Sequence, residues 1–96
     1  MNKYEIMFIV KTTVDEAKVK KTVDSLKSVI SDNKGKIIEF KEMGQKKLAY
    51  EINKEVNGFY YLLVCDASSE TIVEFERRAK LDENLIRYLV INLDKE

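Results

Sequence analysis

Histidine is absent from the 96-residue sequence, proline is absent too, and cysteine occurs once. Without histidine there is no imidazole general base, no Ser-His or Cys-His pair and no His-containing metal site. A lone cysteine forms no internal disulfide and builds no thiolate cluster. Cys65 lies in the apolar run FYYLLVCD with no cationic neighbour to lower its pKa, so it reads as a small buried hydrophobe. Most familiar catalytic designs are excluded at this point. With no proline, linker or low-complexity stretch to divide the chain, residues 1–96 read as one domain. No apolar run approaches the roughly 18 residues of a membrane span, and no signal-peptide core follows Met1, so the expected address is the cytoplasm.

An excess of charge of either sign is also missing, since 17 basic residues face 17 acidic ones. That balance argues against a protein held to nucleic acid by bulk charge. What the sequence does have is 45% hydrophobic and 35% charged residues, the composition of a folded soluble domain. A chain of this length buries roughly two-thirds of its unfolded surface, enough for one core.

Residues 3–10 (KYEIMFIV) are apolar, aromatic and β-branched, as in a strand. Thr13-Val14-Asp15-Glu16 has the pattern of a capping box with Thr13 as cap. Behind it Val19, Val23, Leu26 and Ile30 recur at helical spacing, and Gly35 supplies a left-handed helix stop. KIIEF and LAYEI form a second, edge strand interrupted around Gly44, where a bulge or bend is expected. Asn53 to Gly58 reads as a polar turn with Asn57-Gly58 as its hairpin signal, and Phe59 to Cys65 as the third strand. Ser68-Ser69-Glu70 starts a second helix with Ile72, Phe75 and Ala79 on one face, and Leu85 to Leu93 is the last strand.

The order βαββαβ predicts an α+β, ferredoxin-like split βαβ sandwich. Its four-stranded antiparallel sheet has strands one and three central and both helices on one face. Tyr4, Ile6, Phe8, Tyr61, Leu63, Cys65, Tyr88 and Val90 then face the helices. The open face carries Met7, Ile9, Tyr60, Leu62, Val64, Leu89 and Ile91, an apolar surface that calls for a covering partner.

Function must come from sites, because this fold hosts many activities. An acyl-phosphate hydrolase of this fold needs a glycine-rich loop and an arginine after strand one, where the sequence has Lys11-Thr12-Thr13. Asp82-Glu83 are adjacent carboxylates on a turn and read as solvated. Gly58-Phe59-Tyr60-Tyr61-Leu62 partly matches the pattern in which strand-three aromatics stack RNA bases. Asn57 replaces its basic lead, however, Val64 its last aromatic, and strand one offers Met7 with no ring. Two basic clusters remain, Lys46-Lys47 and Arg77-Arg78-Lys80, with Arg87 on the following strand. Such residues also complement a helix C-terminus or guard a strand edge.

The stretch GQKKLAYEI (44–52) resembles the glycine, basic pair and LAYPI signature of the bacterial small-subunit (30S) ribosomal protein six family. NGFYYL continues it at the expected distance, while KYEIMFIV and DENLIRYLVI resemble the family's opening and closing strands. Glu51 stands where the family commonly has proline, and Lys46 and Lys47 replace arginines, losing the bidentate fork. The resemblance implies a structural, non-enzymatic constituent of the small ribosomal subunit, acting in translation. It would bind the central domain of small-subunit (16S) rRNA as a heterodimer with ribosomal protein eighteen, with no cofactor, metal, membrane or small-molecule substrate. A neutral chain that shares its RNA site with a basic partner need not itself be basic. Lys46, Lys47, Arg77, Lys80 and Arg87 match the family's basic positions, and Lys3 matches the one in its opening strand. These six are the candidates for rRNA or partner contact, and Met7, Tyr60, Leu62 and Leu89 are the candidates for the partner-facing sheet. The alternative is a small-molecule sensing domain that dimerises through its strands. It would need a ligand site between subunits, and no glycine-rich or acidic loop here points to one.

Overall fold

The computed structural model describes residues 2–52 and 55–94, with side chains throughout that range except at 49–52, 55 and 56. The elements are β1 (Asn2–Lys11), α1 (Glu16–Asp32), β2 (Lys36–Ile52), β3 (Glu55–Ala67), α2 (Ser69–Leu81) and β4 (Leu85–Asn92). They form one sheet in the order β2-β3-β1-β4 with every neighbouring pair antiparallel. This is the ferredoxin-like arrangement, with β1 and β3 central.

Alternation along the central strands buries Ile6, Phe8, Val10, Leu63 and Cys65 against Leu26, Ile30 and Phe75 of the two helices. Each such large apolar side chain contributes about 1.5–3 kcal/mol of transfer free energy. Phe8 and Tyr61 stack at 5.2 Å between centroids, and Phe40 of β2 stacks on the outer side of Tyr61 at 5.9 Å. Tyr88 and Val90 of the edge strand pack on the margin of the same core.

The helix ends depart from the sequence reading. The cap of α1 is Asp15, not Thr13: the Asp15 carboxylate accepts from the Lys18 amide at 2.9 Å, satisfying an amide of the first turn. At the other end the left-handed residue is Lys34, at φ 67°, and not Gly35. The Gly35 amide donates to the Ile30 carbonyl at 2.8 Å and the Lys34 amide to the Ser31 carbonyl at 3.3 Å, the two bonds of a Schellman motif. Gly35 is needed for space instead. A Cβ there would lie 2.8 Å from the Ile30 carbonyl oxygen and 3.2 Å from that of Asp66. Ser68 caps α2 as expected, accepting from the Thr71 amide at 3.2 Å.

The β2–β3 hairpin is longer than the sequence implied. Strand β3 starts at Glu55, and Asn57 and Gly58 lie inside it opposite Lys47 and Lys46, so Asn57-Gly58 is not the turn. The expected turn residue Asn53 lies outside the described residues. β2 runs unbroken from Lys36 to Ile52 and shifts register against β3 three times, between Ile37 and Glu39, between Glu42 and Gly44, and between Lys47 and Ile52 near the hairpin end. Gly44 has φ 84°, which explains glycine at the second bulge.

Candidate partner and nucleic-acid interface

Side chains opposite one another in an antiparallel sheet share a face, so the strand registers define the surface away from the helices. Taken in the order β2, β3, β1, β4, one row is Gly44, Tyr60, Ile9 and Arg87. The next is Lys41, Leu62, Met7 and Leu89, and a third is Glu39, Val64, Glu5 and Ile91. Met7, Tyr60, Leu62 and Leu89 are therefore contiguous on this face. Leu89 and Ile91 are 48% and 45% exposed, and Met7, Tyr60, Leu62 and Val64 are half-buried. An apolar band of this kind, rimmed by charge, is the form of a protein contact surface.

Ile9 departs from the expectation. It belongs to this face but is only 5% exposed. Gly58 lies diagonally across from it, and a Cβ there would sit 2.3 Å from Ile9 Cγ2 and 3.5 Å from Ile86 Cδ1. The missing side chain lets Ile9 settle into the sheet surface beside Ile86.

The six cationic candidates separate into three places. Lys46, opposite Gly58, and Arg87, opposite Ile9, flank the Tyr60 end of the open face from opposite edge strands. Three strand spacings put their strands roughly 14 Å apart, with Lys46 offset by two residues along the sheet. Lys46 Nζ stands 5.8 Å from the centroid of the Tyr60 ring, a weak cation–π approach. Lys3 shares the face but lies roughly 20 Å away along β1, six residues before Ile9, where its backbone amide donates to Asp94 Oδ2 at 2.7 Å. Lys47 pairs with Asn57, whose neighbour Gly58 pairs with Lys46, so Lys47 points to the other side of the hairpin. Arg77 and Lys80 lie exposed on α2, in the layer behind the sheet. Arg77 is engaged within its own helix: its Nε donates at 3.1 Å to both Glu74 carboxylate oxygens, and the bond holds the Glu74 carboxyl below its usual range.

Three cations on the open face were missed: Lys36, which shares a row with Lys3 through Asp66, Lys11, which shares one with Lys46 through Gly58, and Lys41. Lys41 lies opposite Leu62 and pairs with Glu39 at 3.3 Å. Its side is set by the bulge at Ile38, a residue with no glycine or other sequence signal. None of these groups is arranged for catalysis. Burial and then Asp66 push the Cys65 thiol up to about 11, and burial and then Glu42 push the Tyr61 hydroxyl up. No cluster able to hold a metal ion occurs among the described residues.

Residues 3–92 match the family model for ribosomal protein S6. The chain belongs to the ribosomal protein S6 family. Similar proteins include small ribosomal subunit protein bS6 of Phytoplasma australiense, 43% identical over 91 residues, covering 95% of this chain and 98% of that one. The Shouchella clausii protein of the same name is 43% identical over 90 residues, covering 94% and 95%. Among solved structures, 30S ribosomal protein S6 from Thermotoga maritima matches with a TM-score of 0.90 at 30% identity, covering 95% of this chain and 86% of that one. A protein from Arabidopsis thaliana, at 14% identity and a TM-score of 0.56 over 100% and 96% of the two chains, shares the fold alone. The S6 family is a structural, non-enzymatic component of the small ribosomal subunit, a cytoplasmic ribonucleoprotein that serves translation.

Proposed function

We propose that the chain binds the central domain of 16S rRNA as a heterodimer with ribosomal protein eighteen, using the open sheet face as the protein contact. The observation that carries this reading is the apolar band of Met7, Leu62, Leu89 and Ile91, left uncovered by the described residues and flanked at one end by Lys46 and Arg87. A band of that kind is suited to a protein surface and the flanking cations to phosphate. Zero formal charge fits a component that needs a basic partner to hold RNA. Lys46, Arg87 and Lys3 are the contacts on the sheet side. Lys47 lies at the hairpin edge, and Arg77 and Lys80 serve only if RNA also passes the helical layer. Gel-shift titration of a central-domain rRNA fragment with each protein singly and with both together tests the reading. Weak binding alone and tight binding together is expected, and equal affinity without the partner would refute it.

A further inference from the structure

The helical layer holds a cleft that the sheet-face reading does not use. Between α1 and the C-terminal end of α2, a cavity of about 220 Å³ is lined by Lys18, Lys21, Thr22, Ser25, Arg78, Asp82 and Asn84. Lys18, Lys21 or Thr22, and Ser25 recur at helical spacing, so one stripe of α1 faces the cleft. Arg78 closes it from α2, its Nη2 donating to Ser25 Oγ at 2.9 Å. That bond uses Ser25 Oγ as acceptor and leaves its proton to be donated. Across the cleft Asn84 Nδ2 approaches Thr22 Oγ1 at 3.4 Å.

The charges are not balanced. Lys18, Lys21 and Arg78 line the cleft with Asp82 as its one carboxylate, and Arg78 also acts on Glu74 beyond the Ser25–Arg78 bridge, so the excess at the cleft is between one and two positive charges in a chain whose total is zero. Asp82 Oδ1 is already held by the Asn84 amide at 2.9 Å, and none of the three cations forms an ion pair with a described carboxylate. The neighbouring cavity on the other side of the Ser25–Arg78 bridge, about 420 Å³, shares Arg78 with the cleft and sets two carboxylates, Asp32 and Glu74, beside Arg77, so Lys18 and Lys21 are the cations peculiar to the cleft. Like charges gathered at one cleft repel unless an anion offsets them.

We infer that the Lys18–Lys21–Arg78 cleft binds a phosphate group, with the Arg78 guanidinium and the Ser25 hydroxyl as its directional donors and the two lysines as point charges. The phosphate is either a backbone phosphodiester of RNA or a free phosphate ion. This site is independent of the partner and of the sheet face. Amide NMR of the intact chain, titrated with sodium phosphate against sodium chloride at matched ionic strength and separately with a short single-stranded RNA, tests it. Saturable shifts centred on Lys21, Thr22, Ser25 and Arg78 are expected. Arg78→Gln should weaken binding about tenfold, the loss of one charge-assisted bond, and Lys21→Gln roughly threefold, as for an exposed charge. Lys20→Gln, on α1 outside the cleft, should leave binding unchanged. Thermal melts guard against loss of helix packing in Arg78→Gln, and Lys21 is exposed, so Lys21→Gln spares the helix packing. Cleft shifts with RNA assign a backbone phosphodiester, and shifts with phosphate only assign the free ion. Absent shifts, shifts spread over surface lysines, or equal affinity in both cleft variants would overturn the site.

Discussion

Gly58 shows how a single residue can be read correctly as special and assigned the wrong reason. Asn-Gly is the strongest short hairpin signal, yet here the glycine sits within β3 because Ile9 occupies the space a Cβ would need. Ile9 is β-branched, buried and on a central strand, so it has little freedom to yield. Gly58→Ala should therefore destabilise the chain by about 1–3 kcal/mol, the usual cost of overpacking. Adding Ile9→Ala removes the clashing methyl and should recover part of the loss, which a double-mutant cycle in urea measures as a coupling. Additive effects would mean the clash is not the cause. Cys65, by contrast, was legible: a thiol within an unbroken apolar run and without a cationic neighbour is fully buried and hard to ionise.

Among the elements, the strongly periodic segments were the easiest to foresee. The stripe Val19, Val23, Leu26, Ile30 and the set Ile72, Phe75, Ala79 are all buried, because helical spacing and apolar character leave one way to pack them. Ends were harder. Thr13 and Asp15 both have the chemistry of a cap, and the helix starts at Glu16, so Asp15 is the residue that caps it. At the α1 C-terminus the left-handed position falls to Lys34 because Gly35 is held against the Ile30 and Asp66 carbonyls. A left-handed conformation costs a residue with a Cβ about 1–2 kcal/mol, partly offset by the greater unfolded-state entropy of glycine. Lys34→Gly should thus stabilise the chain by roughly 0.5–1 kcal/mol, seen as a higher urea midpoint at unchanged m-value. A lower midpoint would show that the Lys34 side chain contributes more than the strain costs.

At the scale of the whole molecule, the sheet separates two cationic regions, Lys46 and Arg87 on the open face and Arg77, Arg78 and Lys80 on the helical layer. If the open face carries the ribosomal contact, Arg87→Ala should lower affinity in the complex with rRNA and ribosomal protein eighteen. The loss should be on the order of 1 kcal/mol if one charge-assisted hydrogen bond is removed. It should also reduce the salt slope by about one, with the fold intact by thermal melt. Tyr60→Ala should weaken the same complex through the protein contact and leave the salt slope as it was, since no charge is lost. The measurement is affinity against salt concentration for both variants. A flat response to Arg87→Ala removes that residue from the interface, and a Tyr60→Ala loss limited to particular RNA sequences would point to base stacking.

The sequence by itself determined the element order, the helix stripes, the alternation that divides β1 and β3 between core and open face, and the family. Each of these rests on local periodicity or on residues close together in the chain, so physics acting over a few residues suffices. Only the tertiary structure decided how the cations are grouped, because lysines at 3, 11, 36, 41 and 46 and an arginine at 87 share a face through strand registers, those of β2 offset by bulges. It alone buried Ile9 over a distant glycine and brought Arg78 to Ser25 across the helix pair. Contacts between residues about fifty positions apart leave no trace in local pattern, since backbone pairing and helix packing, not spacing along the chain, bring them together.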